Sequence, residues 1–319
     1  MSHPVNLTDV READVRIRPV AKRTPVLTSE SFNQAAGVRT FFKCENFQKG
    51  GAFKIRGAAN LVFSLTAAER ARGLVAFSSG NHAQAVALAA REVGATCTIV
   101  MPTDAPKSKV EATRGYGANV VTYDRMKEDR EAIAAALVRD TNAVLVPPFD
   151  HPKIIAGQGT AALELMEEMP DLDAILTPVG GGGLLSGSAI AARGTRPGIR
   201  VFGVEPEQAN DTFLSFRRGE RVTIPPPDTI ADGLRLPSPG KLTFPIVQDL
   251  VEDILLVSED EIRAAVRYLL TRLKILVEPS GAVPAAAVLF GRLPKDIRTA
   301  GVILSGGNVD YEVLAKLGS

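Results

Sequence analysis

The segment from Asn46 to Ala58, NFQKGGAFKIRGA, contains Lys54, the side chain best placed for covalent chemistry. Lys54 follows a Gly-Gly-Ala run and lies between Phe53 and Ile55, so two apolar side chains flank its amine. Loss of water disfavours an ammonium ion and lowers its pKa, and the neutral amine is then available as a Schiff-base nucleophile or proton carrier. The alternative is a solvated lysine at the start of a helix, because other basic residues lie in the same segment.

A run of four glycines, Gly180, Gly181, Gly182 and Gly183, separates the apolar stretch AILTPV from LLSGSAIAA. Glycines leave their backbone N–H groups uncovered by any Cβ, and a helix starting near Leu184 adds the positive end of its dipole. The run therefore predicts a phosphate-binding loop, and the alternative is a flexible strand-to-helix turn. It does not match the P-loop pattern GxxxxGKS/T, so a nucleoside triphosphatase has no support.

A second strand-to-helix turn, SSGNH, comprises Ser78, Ser79, Gly80, Asn81 and His82. Its serine hydroxyls and the N–H groups of the following helix can hold a carboxylate, and the Asn81 amide can bond a phenolic oxygen. The alternative is a plain helix N-cap, a position that Ser and Asn often occupy. We interpret His82 as a structural residue that hydrogen-bonds locally.

Two further patterns each allow a functional and an ordinary interpretation. Glu205 and Asp211, in VEPEQAND, are spaced to bind a divalent ion, with the Ala209 carbonyl as a further oxygen ligand. Alone, this pattern is also typical of a solvated turn. Ser305 follows the last apolar run and begins SGGNVD, where an ordinary serine at the end of a strand is the alternative to a functional one.

Two basic side chains are further candidates for a substrate pocket. Arg130, in MKEDREAIAAAL, lies on a predicted helix, where the simplest interpretation is an exposed i,i+4 partner of neighbouring acids. His151, in PPFDHP, is most simply a loop histidine.

Bulk composition limits the classes of protein. The chain has 319 residues, of which 45% are hydrophobic and 23% charged, with a formal net charge of +1, as expected for a soluble globular protein. The balanced charge predicts no binding to nucleic acid or to a membrane surface. Cys44 and Cys97 form no CxxC or Cys/His cluster, which argues against disulfides and structural zinc. The polar amino terminus and the lack of long apolar runs predict a cytoplasmic protein.

Alternating strand and helix patterns position these candidates. After a predicted helix over 55–69, four strands alternate with three helices within residues 73–150, and a similar alternation resumes from residue 154 to the last strand at 300–305. Strands alternating with helices of this length predict an α/β fold with parallel sheets covered on both faces. The Pro-rich segment 224–240 is predicted to be a long surface loop.

These segments together carry a resemblance to a known family. FKCENFQKGGAFKIRGA, SSGNHA, GGGG, VEPEQAND and SGGNVDY occur in the order found in fold-type II pyridoxal-phosphate enzymes. The chain specifically resembles the serine and threonine dehydratases and serine racemase, including 3-hydroxyaspartate dehydratases. It is similar to the short catabolic members, and this resemblance predicts a protein without the regulatory domain of the long biosynthetic threonine dehydratases.

The resemblance implies a fold and ligands. The fold would be tryptophan synthase β-like, with two open, twisted, mostly parallel sheets flanked by helices. Residues 1–72 and 151–319 would form a discontinuous large cofactor-binding domain, and residues 73–150 a small domain that grips the substrate. Pyridoxal 5'-phosphate and a structural Mg2+ or Mn2+ ion at Glu205, Ala209 and Asp211 are the implied ligands, and a homodimer is the implied assembly.

It also implies roles for the cofactor-binding residues. Lys54 would hold the cofactor covalently, with Phe53 packed against its ring and Asn81 bonded to its hydroxyl. The glycine run and Leu184 would bind its phosphate. Ser305 would face the pyridine nitrogen, and since a hydroxyl cannot keep that nitrogen protonated, elimination is favoured over transamination.

The implied reaction is a β-elimination that converts a β-hydroxy-α-amino acid, such as L-serine, L-threonine or 3-hydroxyaspartate, into a 2-oxo acid and ammonia. The 78–82 turn would grip the substrate carboxylate, Ser79 would be the acid/base opposite Lys54, and Arg130 would reach a second carboxylate. The alternative is a serine or aspartate racemase in which Ser79 supplies the second base. A non-catalytic, cofactor-binding relative is a third hypothesis.

Overall fold

The computed structural model describes residues 3–105 and 107–316. Its strands are, in chain order, β1 (Val26–Thr28), β2 (Arg39–Cys44), β3 (Leu74–Phe77), β4 (Cys97–Pro102), β5 (Asn119–Tyr123), β6 (Val144–Leu145), β7 (Ala174–Pro178), β8 (Arg200–Pro206), β9 (Asp253–Val257) and β10 (Thr299–Leu304). Its α-helices are α1 (Leu7–Ile17), α2 (Glu30–Ala36), α3 (Lys54–Ser64), α4 (Ala67–Ala71), α5 (Asn81–Glu92), α6 (Lys107–Gly115), α7 (Arg130–Thr141), α8 (Pro152–Glu168), α9 (Gly183–Thr195), α10 (Asp211–Arg218), α11 (Thr243–Leu250), α12 (Glu259–Tyr268), α13 (Pro279–Leu289) and α14 (Tyr311–Lys316).

The strands form two sheets. The larger has the order β1-β2-β10-β7-β8-β9 and is parallel except for the antiparallel β1–β2 pair. The smaller has the order β5-β4-β3-β6 and is parallel throughout. The predicted α/β fold with two mainly parallel sheets is confirmed, and every strand of the smaller sheet lies within the range 73–150.

Burial explains why these runs form central strands. All five residues of β7 are buried, as expected for a parallel strand that is covered on both faces. Ala174 and Leu176 pack in one apolar core, whereas Ile175 packs in another, because successive side chains of a strand point to opposite faces. A third core contains residues of α3, α5 and the smaller sheet, so α3 lies where the two sheets meet.

The single helix predicted over 55–69 is wrong, because the chain breaks at Leu65 and Thr66. Leu65 has an extended backbone, and Thr66 starts α4 with a capping box. The Thr66 hydroxyl accepts a hydrogen bond from the Glu69 N–H at 3.2 Å, and the Glu69 carboxylate accepts one from the Thr66 N–H at 2.7 Å. Lys54 is the first residue of α3, so its predicted position near a helix start is confirmed.

The segment 224–240 is an irregular, mostly exposed or half-buried loop, as predicted, but part of it turns inward. It contains only a short 3-10 turn, Asp232–Leu234, but Ala231 is fully buried and residues 232–236 line the cavity described below. Apolar residues between the prolines explain this inward turn, because they pack against the larger sheet. Within the described residues, no helix is both long and apolar enough to cross a membrane.

Candidate active site

A cavity of about 170 Å³ lies where the carboxyl ends of strands from both sheets meet. Its walls come from the segments that follow β3, β6, β7 and β10, together with the start of α3 and the 232–236 segment. In open parallel sheets ligands bind in such crevices, at the carboxyl edge of the strands. The two sequence patterns SSGNH and GGGG are both strand-to-helix turns at this edge.

Lys54 projects its amine into this cavity. Its Nζ donates a hydrogen bond to the Pro148 carbonyl at 2.9 Å and lies 5.1 Å from the centre of the Phe53 ring. Burial lowers the pKa of Lys54 from 10.5 to about 8, although the nearby Glu278 carboxyl favours the ammonium form. A far larger fraction of this amine is therefore neutral near pH 7 than of an ordinary lysine.

Backbone contacts join the start of α3 to the end of β10. The Phe53 N–H donates to the Ser305 carbonyl at 3.0 Å, and Ala52 forms an antiparallel bridge with Gly306. These contacts place Ser305, which is 4% exposed, beside Lys54 on the cavity wall.

The glycine run forms a narrow cradle at the start of α9. Gly182 has a φ of +85°, which favours glycine, and it caps the helix without a side chain. A Cβ built on Gly181 would lie 2.4 Å from the Phe149 ring, so a larger residue does not fit. The Thr243 hydroxyl fixes the loop by donating to the Gly181 carbonyl at 2.7 Å. The N–H groups at this helix start have no side-chain cap and can bind an anion.

The second turn leads from β3 into α5. Ser78, Ser79 and Gly80 line the cavity, and α5 begins at Asn81 without a side-chain cap, so its first N–H groups are open to an anion. His82 also lines the cavity, but its Nε2 contacts the Val146 carbonyl at 2.9 Å. Burial, with the nearby Lys54 charge, lowers the pKa of His82 to about 3, so this histidine is neutral.

Arg130 lies at the first position of α7, because Asp129 caps the helix and moves its start from the predicted residue 127. Its guanidinium is 5.5 Å from the centre of the Phe77 ring and lines the cavity. The alternative of an i,i+4 ion pair with a neighbouring acid is not found among the described residues. His151, in contrast, is outside the cavity, where its Nδ1 accepts a hydrogen bond from the Lys153 N–H at 3.1 Å.

Glu205, Ala209 and Asp211 lie together away from the cavity, between the end of β8 and the start of α10. Glu205 accepts hydrogen bonds from the N–H groups of Thr212 at 3.1 Å and Phe213 at 2.8 Å. Both carboxyls are fully buried, and neither Asp211 oxygen has a hydrogen-bond partner within the described part of the chain.

Burial raises the pKa of Asp211 to about 7. Burial also raises the pKa of Glu205 well above its usual value, and the nearby Asp211 carboxyl raises it further. These oxygens fit a hard cation. No group of three or more His, Cys, Asp or Glu side chains suited to a metal occurs in residues 3–105 and 107–316.

Several residues in or beside the cavity were missed by the sequence analysis, among them the polar side chains of Lys109, Asp232, Glu278 and Asn308. Asn81 Nδ2 donates to Glu278 Oε1 at 2.8 Å, and Asn308 Nδ2 donates to Asn81 Oδ1 at 2.9 Å. Asn308 lies within the quoted motif SGGNVD, and Pro279 after Glu278 is a helix-start signal. Lys109 and Asp232 carry no local signal.

Comparisons with known proteins agree with this geometry. The profile of the family described as "Pyridoxal-phosphate dependent enzyme" matches residues 17–306. The chain is 50% identical over 309 residues to an L-threo-3-hydroxyaspartate ammonia-lyase of Saccharomyces cerevisiae, covering 97% of this chain and 95% of that protein. It is also 50% identical over 304 residues to a serine racemase of Schizosaccharomyces pombe, covering 95% and 94%. The solved structure of maize serine racemase superposes with a TM-score of 0.95 at 44% identity, covering 98% of this chain and 97% of that one.

Proposed function

This chain belongs to the family of pyridoxal-phosphate-dependent enzymes, and from that premise we propose that it eliminates the β-hydroxyl group of a β-hydroxy-α-amino acid to give a 2-oxo acid and ammonia. One observation carries the proposal: a partly buried lysine, Lys54, shares one cavity with an anion-binding glycine cradle and with the uncapped N–H groups at the start of α5. The two anion sites match the phosphate of the cofactor and the carboxylate of an amino acid.

The residues present fit the cofactor. Gly180 to Gly183, with Leu184, would hold its phosphate, because the cradle has space only for backbone and its N–H groups are free. The Asn81 amide would bond the phenolic oxygen, and the buried Ser305 would face the pyridine nitrogen. When bound, pyridoxal phosphate withdraws electrons from the α-carbon of the substrate and so makes its proton acidic.

The chain's own groups would then bind and move protons. The N–H groups at the start of α5 hold the substrate carboxylate, and Ser79 lies on the same turn. Lys54 in its neutral form accepts the α-proton, because its pKa is lowered to about 8 by burial. The hydroxyl of Ser79 would supply the proton that the departing hydroxyl group needs.

We propose 3-hydroxyaspartate as the first substrate to test, because a relative that shares 50% of its residues is named for it and because Arg130 is available. The half-buried guanidinium of Arg130 lines the cavity and pairs with no acid in the described residues, so it can bind a second carboxylate bidentately. A glutamine at this position removes the charge. R130Q should therefore have a lower activity on 3-hydroxyaspartate and an unchanged activity on L-serine.

Racemisation is the second candidate, and Ser79 in the cavity favours it. Two-base inversion needs an acid on the face opposite Lys54, and a serine hydroxyl at position 79 can fill that role. In the S79A variant, inversion should disappear while much of the elimination is retained. Equal loss of both activities would count against separate roles.

The test uses purified, cofactor-loaded protein with L-serine, L-threonine and both 3-hydroxyaspartate diastereomers. Formation of 2-oxo acid, followed with a coupled dehydrogenase, reports elimination, and chiral chromatography of the remaining amino acid reports racemisation. Formation of 2-oxo acid from at least one substrate is expected. Inversion without 2-oxo acid would replace the lyase with the racemase, and no change in any substrate would leave only a cofactor-binding protein.

We also propose a structural Mg2+ or Mn2+ ion at Glu205, Ala209 and Asp211, supported by the two buried carboxyls and the unpartnered Asp211 oxygens. Magnesium should raise the melting temperature of the wild type but not that of D211N. An equal rise in both proteins would exclude this site.

We further propose that the protein is a cytoplasmic homodimer. Within each subunit, residues 1–72 and 151–319 would form the large domain and residues 73–150 the small domain. Light scattering of the purified protein tests the assembly, and hydrogen exchange tests whether 73–150 opens as a unit.

A further inference from the structure

Glu278 is a buried acid in the cavity that the proposed reaction does not use. It precedes α13 as the N-cap residue, and its side chain lies on the cavity wall while the residue is only 4% exposed. Its N–H donates to the Gly306 carbonyl at 3.1 Å, and a Cβ built on Gly306 would lie 2.3 Å from Glu278 Oε1. The carboxyl is therefore packed against the glycine that follows Ser305.

The carboxyl also fixes one amide of the site. Glu278 Oε1 accepts a hydrogen bond from Asn81 Nδ2 at 2.8 Å, while Asn81 Oδ1 accepts one from Asn308 Nδ2 at 2.9 Å. Asn308 Nδ2 also donates to the Gly50 carbonyl at 2.8 Å, so the Asn308 amide cannot turn without losing two bonds. These partners determine which end of the Asn81 amide is nitrogen, and that nitrogen keeps a second N–H for a ligand.

The charged groups around Glu278 are Lys54, Lys109 and Asp232. Burial raises the pKa of Glu278 to about 8, Asp232 raises it further, and Lys109 opposes the shift. Glu278 is thus mainly a neutral acid near pH 7. A neutral carboxyl still accepts from Asn81 through its carbonyl oxygen, and it adds no negative charge beside an anionic ligand.

We propose that Glu278 is a positioning residue for the cofactor: its carboxyl holds the Asn81 amide so that an N–H faces the cofactor's phenolic oxygen. This inference rests on the proposed function only for the cofactor and its orientation, not for the amino acid that reacts. Glu278 thereby links Asn81 to Gly306 on the cavity wall.

The experiment measures binding of pyridoxal 5'-phosphate to apoprotein by fluorescence titration, with no substrate present. E278A leaves the Asn81 amide free to rotate, so its dissociation constant should increase about tenfold, the effect of losing one buried hydrogen bond. E278Q keeps a neutral acceptor and should restore affinity to within about threefold at pH 7. E220A, which changes an exposed acid, is the control.

The pH profile separates positioning from a general packing effect. The affinity of the wild type for the cofactor should fall as Glu278 ionises above pH 8. E278Q should lack that part of the decrease. Both proteins retain Lys54, Lys109 and Asp232, so the titration of these three groups affects both profiles. The proposal would be overturned if E278A bound the cofactor as tightly as the wild type does. It would also be overturned if E278Q and the wild type had identical pH profiles. If E278A does not fold, the E278Q profile decides alone. A protein that binds the cofactor with this profile but converts no amino acid would refute the proposed function and not this inference.

Discussion

The Lys109 ammonium group lies 2.8 Å from Asp232 Oδ2 and joins two walls of the cavity. Lys109 is on α6, between β4 and β5 of the smaller sheet, whereas Asp232 follows β8 of the larger sheet. The pair therefore connects the parts of the chain that belong to the two sheets, and each sheet carries one of the two anion-binding turns, SSGNH or GGGG.

Breaking this pair should weaken substrate binding more than it slows turnover. In K109M the α6 side of the cavity loses its ionic contact with Asp232, whose side chain is half exposed. We therefore expect KM to rise about fivefold, which corresponds to about 1 kcal/mol of binding free energy, with a smaller change in kcat. Steady-state kinetics of the active substrate measure both. R125M, which breaks the Arg125–Asp104 pair outside the cavity, is the matched control and should change neither constant.

A methyl group at Gly181 should block the cofactor cradle. Because the added Cβ would lie 2.4 Å from the Phe149 ring, the loop must move, and G181A should bind pyridoxal 5'-phosphate at least tenfold more weakly. Cofactor titration measures the effect. A Cβ at Gly198 meets no atom within 4 Å, so G198A should bind normally. Normal binding by G181A would show that the phosphate does not use this loop.

A buried ion cluster should stabilise the helix that begins with Lys54. Arg56 is fully buried, its Nε lies 2.7 Å from Glu45 and its Nη1 2.7 Å from Glu164. R56M leaves those buried carboxylates without their partner, so the free energy of unfolding should fall by about 3–5 kcal/mol. Urea denaturation measures it. R263M removes an exposed pair with Asp260 and should cost less than about 1 kcal/mol.

Lys54 should make the apoprotein's stability depend on pH. Its pKa is about 8 in the folded state and 10.5 when unfolded, so between these values the unfolded chain binds more protons. The cost of burying this amine is fully present below pH 8, at about 3 kcal/mol, and disappears as the pH rises through 10.5. K54M should therefore be more stable than wild type at pH 7, with a gap that narrows towards pH 10. A gap that does not change with pH would contradict the lowered pKa.

Local patterns predicted the sheets and the turns of the site. The alternation of apolar strands with helices indicated parallel sheets, and both SSGNH and GGGG follow such strands directly, so strand direction places each turn at the carboxyl edge of its own sheet. Lys54 begins α3, one residue before the predicted helix start at Ile55, and follows Gly50 and Gly51, whose backbones are left-handed. The family resemblance is confirmed by the profile match and the relatives.

What the sequence could not reveal depends on contacts between distant segments. Glu278 and Asn81 are nearly two hundred positions apart (|i−j| = 197), and neither the Pro after Glu278 nor the Asn of SGGNVD indicates that an amide and a carboxyl meet. Asp232 lies in a Pro-rich segment whose pattern is that of a surface loop. The break at Leu65 was missed because apolar spacing continues across it, although the Thr66–Glu69 capping box was a readable signal.

The most direct test of the account is the location of the covalent link to the cofactor. Wild-type, K54A and K49A proteins are loaded with pyridoxal 5'-phosphate, reduced with borohydride, digested and mapped by mass spectrometry. We expect a phosphopyridoxyl group on Lys54 in the wild type and in K49A, and none on that peptide in K54A. A label on another lysine of the wild type, or no label in fully loaded protein, would contradict the account.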